Sequence, residues 1–309
     1  MNKLILYLLG AWLGISSLAA QRTVIQVEAE KATQTETGKV LKRKVAISRF
    51  SNETQYAKGL FYDKNNDPMG KQALDILSAK LAASGKFLLL ERNDMDKLQE
   101  ESQLNNAELQ KIGADYLIFG SITEFGRKNV GDQRVFSSTK TQIVEAAVTI
   151  RLVDAKTGLI IYSDEAKGDA ELKTKETLGI GGQADYDATL SDKAISAAIS
   201  KLVENIINKC TDKPWRAYFL AADENGIIIS GGQSQGISTG DIFAVKQRGK
   251  TVTNPQTGIK FELPGKTVGK LVVDAVQGDM PETEFSVVSM TEGEINPESL
   301  NEYYIEEAK

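Results

Sequence analysis

The chain has 309 residues, room for about two domains, and its 41% hydrophobic and 26% charged residues are ordinary for a globular protein. The 37 Lys+Arg against 42 Asp+Glu leave a net charge of −5, which argues against a broadly basic nucleic-acid binder, since neutralising phosphates needs clustered cations. There is no histidine and a single cysteine, Cys210. Histidine-based catalytic triads and an internal disulfide are therefore excluded.

In chain order, residues 1–20 open with Lys3, continue through an almost unbroken apolar run over 4–13, and leave through Ser17, Leu18 and Ala19. That is the layout of a secretory signal peptide, with cleavage expected near Gln21; the run is short for a membrane anchor. Residues 21–44 read as a polar, extended leader that ends in a solvated basic cluster, Leu41-Lys42-Arg43-Lys44. Residues 45–50 alternate as a half-buried strand. After a loop, Asp67-Pro68 marks a helix start, and Ala73, Leu74, Leu77 and Leu81 repeat at helical spacing up to Gly85. Residues 87–90 form a short buried strand. Asn93 is the expected cap of a helix whose Met95 and Leu98 face inward. Another short helix is expected over 106–112, and a third strand over 116–122. This alternation predicts helices packed on a sheet.

Residues 143–153 read as a long strand with Val144, Ala146, Val148, Ile150 and Leu152 on one face. A turn at 154–158 leads into a return strand at 159–163. The last helix of this part runs over 191–210, capped by Ser191, with Ala194, Ile195, Ala198, Ile199, Leu202, Val203 and Ile206 as its apolar stripe and Cys210 as a partly buried, inert thiol. After Pro214-Trp215 the style changes. Short strands are expected at 218–221, 226–230, 241–247, 260–263, 268–276 and 284–289, separated by Gly, Asn and Pro turns, which suggests a small β-barrel or sandwich. Residues 297–309 read as a loose acidic tail. The expected fold class is α+β: an α/β sheet-and-helix domain with β-hairpin extensions (45–213), then a small β-barrel-like domain (214–292), with a signal peptide (1–20), a leader (21–44) and an acidic tail (293–309).

The motifs that suggest chemistry fail on inspection. Gly232-Gln233-Ser234-Gln235-Gly236 matches a nucleophile elbow but has no histidine to serve it, so it reads as a turn. Residues 63–67 resemble the opening of a calcium loop, but Pro68 stands where glycine is needed and Leu74 where the bidentate glutamate is needed. Gly179-Ile180-Gly181-Gly182 lacks a phosphate-binding fingerprint and reads as a hairpin tip. Asn52-Glu53-Thr54 fits the short glycosylation sequon, and the Asp164/Glu165 pair reads as an ordinary exposed turn. No catalytic, cofactor or metal site is assigned, and no cofactor is expected.

Five stretches occur in one order: VAISRFSNET, GKQALDILSAKLAASGKFLLLERNDMDKLQEE, GADYLIFGSITEFG, VTIRLVDAKTGLIIYSDEAKG and SDKAISAAISKLVENI. Through them residues 44–210 resemble the curli production assembly/transport component family of bacterial outer-membrane secretion proteins. The resemblance implies a periplasmic α/β domain assembled as a homo-oligomeric ring. It also implies two transmembrane hairpins per subunit, carried over to 125–148 and 162–190. A constriction loop after the first strand falls within 56–67, with Tyr56, Phe61 and Tyr62 lining the pore. The chain departs from that pattern: no lipid-attachment cysteine lies near residue 21, and 171–178 carries charges on both faces where a barrel strand needs an apolar lipid face over about 9–11 residues. Residues 215–290 resemble, more distantly, small barrels appended to other envelope assembly proteins, through GISTGDIFAV and KTVGKLVVDAV. The expectation is an exported, non-enzymatic envelope protein in secretion or assembly of surface proteins at the outer membrane. Its partners would be copies of itself and secreted or envelope proteins, with no nucleic acid. The alternative is a soluble periplasmic binding or scaffold protein that forms no pore.

Overall fold

In the computed structural model, residues 40–55, 67–105, 109, 112–134, 137–177, 189–224, 226–256, 258, 260–281 and 283–308 are described. The expected signal peptide (1–20), most of the expected leader (21–44), nearly all of the expected 106–112 helix and the Gly179–Gly182 motif lie outside them.

The sequence up to residue 211 builds β1 (Arg43–Asn52), α1 (Pro68–Ala83), β2 (Phe87–Leu90), α2 (Met95–Leu104), β3 (Tyr116–Arg134), β4 (Ser137–Asp154), β5 (Ile160–Thr177) and α3 (Thr189–Thr211). The strands form one sheet in the order β2-β1-β3-β4-β5, with β1 parallel to β2 and β3 and the remaining pairs antiparallel. One face carries the helices. The α1 residues Ala73, Leu77 and Leu81 and the α3 residues Ala194, Ile195, Ala198, Ile199, Leu202 and Ile206 meet Val144, Ala146, Val148, Ile150 and Leu152 of β4 in a single core. Each large side chain buried there stabilises the fold by roughly 1.5–3 kcal/mol. At Gly168 on β5 the helix comes so close that an added Cβ would lie 2.2 Å from the Ala194 carbonyl oxygen and 2.4 Å from the Ala198 nitrogen.

The second half forms β6 (Arg216–Ala217), β7 (Phe219–Asp223), β8 (Gly226–Ser230), β9 (Ile242–Gln247), β10 (Thr251–Thr253), β11 (Lys260–Glu262), β12 (Lys266–Gln277), β13 (Phe285–Gly293) and β14 (Tyr303–Glu307). Seven of these strands pair in the order β6-β14-β9-β12-β13-β8-β7. Only Tyr218 separates β6 from β7. One run of chain therefore supplies both edges and brings the sheet nearly to closure, a barrel-like solution to the exposed-edge problem. Trp215, Phe219, Ile229, Phe243, Val245, Leu271, Val273, Val288 and Ile305 fill it. The fold class is thus α+β, with a sheet-and-helix layer followed by a small barrel-like sheet.

Several expectations are corrected. Strands β3, β4 and β5 run well beyond the predicted 116–122, 143–153 and 159–163, because cross-strand pairing continues where the apolar alternation has stopped. The cap of α2 is Asp94 rather than Asn93, whose side-chain amide instead donates to the Ile47 carbonyl at 3.1 Å. None of the α2 residues is buried and Leu98 is 40% exposed, so α2 contributes nothing to the core that α1 and α3 form with the sheet. Helix α3 begins at Thr189, so Ser191 lies inside it and accepts a hydrogen bond from Arg127. The tail is not loose: β14 lies between β6 and β9 with Tyr304 and Ile305 buried, and its glutamates are partners of basic groups rather than solvated charges.

The basic lead-in is also not solvated. Leu41 enters the barrel core and the Lys42 amide donates to the Gln235 carbonyl at 2.8 Å. Arg43 is 5% exposed; its Nη2 donates to the Lys213 carbonyl at 2.7 Å and lies 3.9 Å from Glu307, and its Nε donates to the Cys210 carbonyl at 3.4 Å. Cys210 is fully buried beside it, and burial pushes the thiol up to about 12. The folded state thus favours the protonated thiol, a contribution present below the ordinary thiol pKa and lost as pH rises toward 12.

Two outcomes follow. Gly168→Val forces β5 and α3 apart and lowers unfolding free energy by about 1–3 kcal/mol in a urea titration. Cys210 fails to react with a thiol reagent at pH 8 in the native protein and reacts fully once urea unfolds it.

Candidate functional site

The resemblance directs attention to the chain between β1 and α1, and the structure fixes both ends of that excursion. Strand β1 stops at Asn52, paired with Ile122, while β3 continues to Arg134. Strand β2 has already ended opposite Ala46, so at this level the sheet narrows from four strands to the three-stranded ribbon β3–β4–β5.

Asn52 and Thr54 are 1% and 8% exposed. The Asn52 side-chain oxygen accepts from the Thr54 amide at 3.0 Å and from the Thr54 hydroxyl at 2.7 Å, folding the strand end into an Asx turn. Its side-chain amide donates to the Met69 sulfur at 3.7 Å, and the Glu53 amide donates to the Ile122 carbonyl at 3.0 Å. Asp67 closes the neck with both carboxylate oxygens. Oδ1 accepts from the Gly70 amide at 2.8 Å as the α1 N-cap, and Oδ2 accepts from the Asn52 amide at 2.6 Å. Glycine is required at 70, because a Cβ there would stand 2.4 Å from Asp67 Oδ2 and 2.9 Å from the Phe50 carbonyl oxygen. Asp67 was readable as a cap; its second role, holding the strand that precedes the excursion, was not. The three expected pore residues, Tyr56, Phe61 and Tyr62, lie outside the described residues.

The ribbon above the neck is polar. The expected hairpin 125–148 is the distal part of β3–β4, in continuous register from Phe125↔Ala146 to Arg134↔Ser137. The outgoing arm of the expected 162–190 hairpin is β5; 178–188 lie outside the described residues, and 189–190 begin α3 instead of ending a strand. On the face away from the helices Lys128 pairs with Glu145 at 3.2 Å, Lys167 with Glu124 at 2.6 Å, and Lys173 with Glu171 at 2.7 Å. A cleft of about 630 Å³ follows this ladder, lined by Glu124, Gly126, Glu145, Lys167, Asp169 and Glu171 among others. On the helical face Arg127 stands over the Phe125 ring at 5.8 Å while bonding Ser191.

Asp164 and Glu165 belong to β5 rather than to a turn, and they separate to opposite faces. Asp164 accepts from the Tyr162 hydroxyl at 2.6 Å; burial, together with this bond, holds that phenol up to about 12. Glu165 accepts from Thr149 at 3.0 Å and Thr123 at 3.1 Å. Ser234 of the Gly-x-Ser-x-Gly motif sits in the 3₁₀ turn Gln233–Gln235, where its hydroxyl donates to Glu284 at 2.6 Å and its amide to the same carboxylate at 2.9 Å. That carboxylate ties the turn to the start of β13, which is the turn reading rather than a nucleophile poised for attack.

The model of the curli production assembly/transport component CsgG matches residues 25–235. A Neisseria meningitidis serogroup B protein named as a lipoprotein is 34% identical over 175 residues, covering 56% of this chain and 78% of its own length. Among solved structures, the lipoprotein GNA1162 of Neisseria meningitidis aligns at 15% identity over 55% of this chain and 99% of its own, with a TM-score of 0.28. The PelC dodecamer of Paraburkholderia phytofirmans aligns at 18% identity over 54% of this chain and 92% of its own, with a TM-score of 0.26. The sequence matches carry the assignment: this chain belongs to the curli production assembly/transport component family and is an envelope protein of it. Among the described residues no helix is long and apolar enough to cross a membrane.

Asp67→Ala removes the helix cap and the strand anchor together. It lowers unfolding free energy by about 1–2 kcal/mol in a urea titration, while Asp67→Asn, which keeps an acceptor, costs less.

Proposed function

We propose that this protein acts without enzymatic chemistry in the secretion or assembly of surface proteins at the outer membrane, as a homo-oligomeric ring. In this reading the sheet-and-helix domain (45–213) is the assembling unit and the barrel-like domain (214–292, completed by β14) binds partners. The excursion between β1 and α1 supplies the constriction, lined by Tyr56, Phe61 and Tyr62. The observation that carries the reading is the neck: Asn52, Thr54 and Asp67 anchor the excursion where the sheet narrows to three strands. A ring of such subunits would set the excursions side by side at one level.

One observation favours a second reading, a soluble periplasmic scaffold that forms no pore. The ribbon presents Arg127 on one face and Lys128, Glu145, Glu171 and Lys173 on the other. A Lys or Arg facing lipid at mid-membrane costs roughly 2–4 kcal/mol, so every inserted subunit would carry that penalty on whichever face met lipid.

Cell fractionation with a carbonate wash, followed by electron microscopy of the detergent extract, tests the two. Rings in the outer-membrane fraction are the expected result. Monomers recovered only in the soluble periplasmic fraction overturn the ring and leave the scaffold.

A further inference from the structure

The barrel carries one element that takes no part in its closure. Strands β10 and β11 form a two-stranded ribbon that pairs with no other strand among the described residues. Its register sets Val252 opposite Phe261 and Thr251 opposite Glu262. Antiparallel alternation therefore places Val252, Phe261 and Leu263 on one face and the threonines, Lys260 and Glu262 on the other. Phe261 and Leu263 are 49% and 42% exposed. A lone hairpin of this length is marginal in water, so an apolar face held open on it calls for an occupant.

The charge around that face points to the occupant. Residues 246–266 carry five basic side chains (Lys246, Arg248, Lys250, Lys260 and Lys266) and one acid, Glu262, in a protein whose net charge is −5. Glu262 is taken up at the ribbon's root by Arg248, at 3.0 Å. Arg248 also donates to the Asn301 carbonyl at 2.8 Å and lies 5.7 Å from the rings of both Tyr218 and Tyr304, which fixes the ribbon to the barrel wall. Lys250, Lys260 and Lys266 remain exposed on the ribbon and at its base, Lys260 on the polar face.

We propose that the β10–β11 ribbon docks the barrel on an anionic lipid surface. Phe261 and Leu263 enter the boundary between headgroups and acyl chains, and the three lysines reach lipid phosphates around the edges of a ribbon only two strands wide, Lys260 from its polar face. A nucleic acid would use cations with several stacking rings, whereas this face has one ring and two aliphatic side chains. An acidic peptide would use the lysines and leave Phe261 and Leu263 in water. The inference stands whether or not the chain forms a ring.

Flotation of the full chain with phosphatidylcholine vesicles, with and without phosphatidylglycerol in equal amount, reads it out. Binding is expected to the anionic vesicles in excess of the neutral ones, and that excess weakens with added salt. Lys250→Gln/Lys260→Gln lowers the excess roughly 25-fold, at about fivefold per lysine. Phe261→Ser/Leu263→Ser lowers it at least about tenfold. Both pairs lie on exposed positions, so the thermal melt stays unchanged. Equal binding to both vesicle types, or binding that neither pair of substitutions changes, overturns the proposal. So does capture of a polyglutamate peptide or a single-stranded oligonucleotide in the absence of vesicle binding.

Discussion

A guanidinium almost stripped of water joins the first strand of the sheet to the last strand of the barrel. Burial works against the charge of Arg43 and lowers its pKa, while Glu307, Tyr116 and Asp115 oppose that shift. The Cys210 and Lys213 carbonyls accept its hydrogen bonds, and Nη1 finds no partner among the described residues. A buried charge of this kind adds little net stability against an apolar replacement, yet removing one partner strands the other. Its value lies in geometry. The Cys210 carbonyl belongs to the final turn of α3, where the helix dipole favours a cation. Glu307 also accepts from the Trp215 amide at 3.3 Å, and Lys213 reaches Asp154 at 3.2 Å. Helix end, linker and barrel are therefore registered against one side chain.

From that joint the sheet has two very different faces. Toward α1 and α3 it is apolar and closely fitted, to the point that Gly120 sits where a Cβ would strike the Phe50 ring. Away from them it is held by ion pairs and hydroxyl–carboxylate bonds, beneath which Ala147 is nevertheless fully buried. Exposed ion pairs contribute little individually. Backbone ladders between neighbouring strands must therefore do most to keep the ribbon above Asn52 ordered, and polar faces suit a structure that meets water or another protein.

How much of this could be read from the sequence depends on what kind of interaction made each element. The α3 stripe, the α1 cap at Asp67 and the inward face of β4 are period-and-cap features, and they were legible. The length of β3–β5 was legible only through the resemblance that carried hairpins to 125–148 and 162–190, because past residue 125 the strands are defined by their neighbours and not by apolar alternation. Strand β14 was hidden by its glutamates, which looked like a solvated tail and prove to be the partners of Arg43 and Arg216. Arg43 itself looked like part of a basic lead-in, since nothing local reveals a partner at the far end of the chain. At the neck, Asn52 and Thr54 looked like a sequon; only the fold brings them to Asp67. Leu98 misled in the other direction: a helical spacing was present, but the helix it marks buries none of its residues.

The place of β14 in the barrel sets an order of events. Strands β6 and β9 have no common neighbour until β14 lies between them, so every earlier strand can exist while the barrel is still open. A chain synthesised from its N-terminus can complete the sheet-and-helix layer first, because among the described residues its core draws on nothing beyond Cys210. The Arg43 contact to Glu307 then forms only when the last strand arrives. Arg43 thus distinguishes a chain that has reached β14 from one cut short before it, which would keep its layer, leave the barrel open and hold Arg43 without the Glu307 carboxylate.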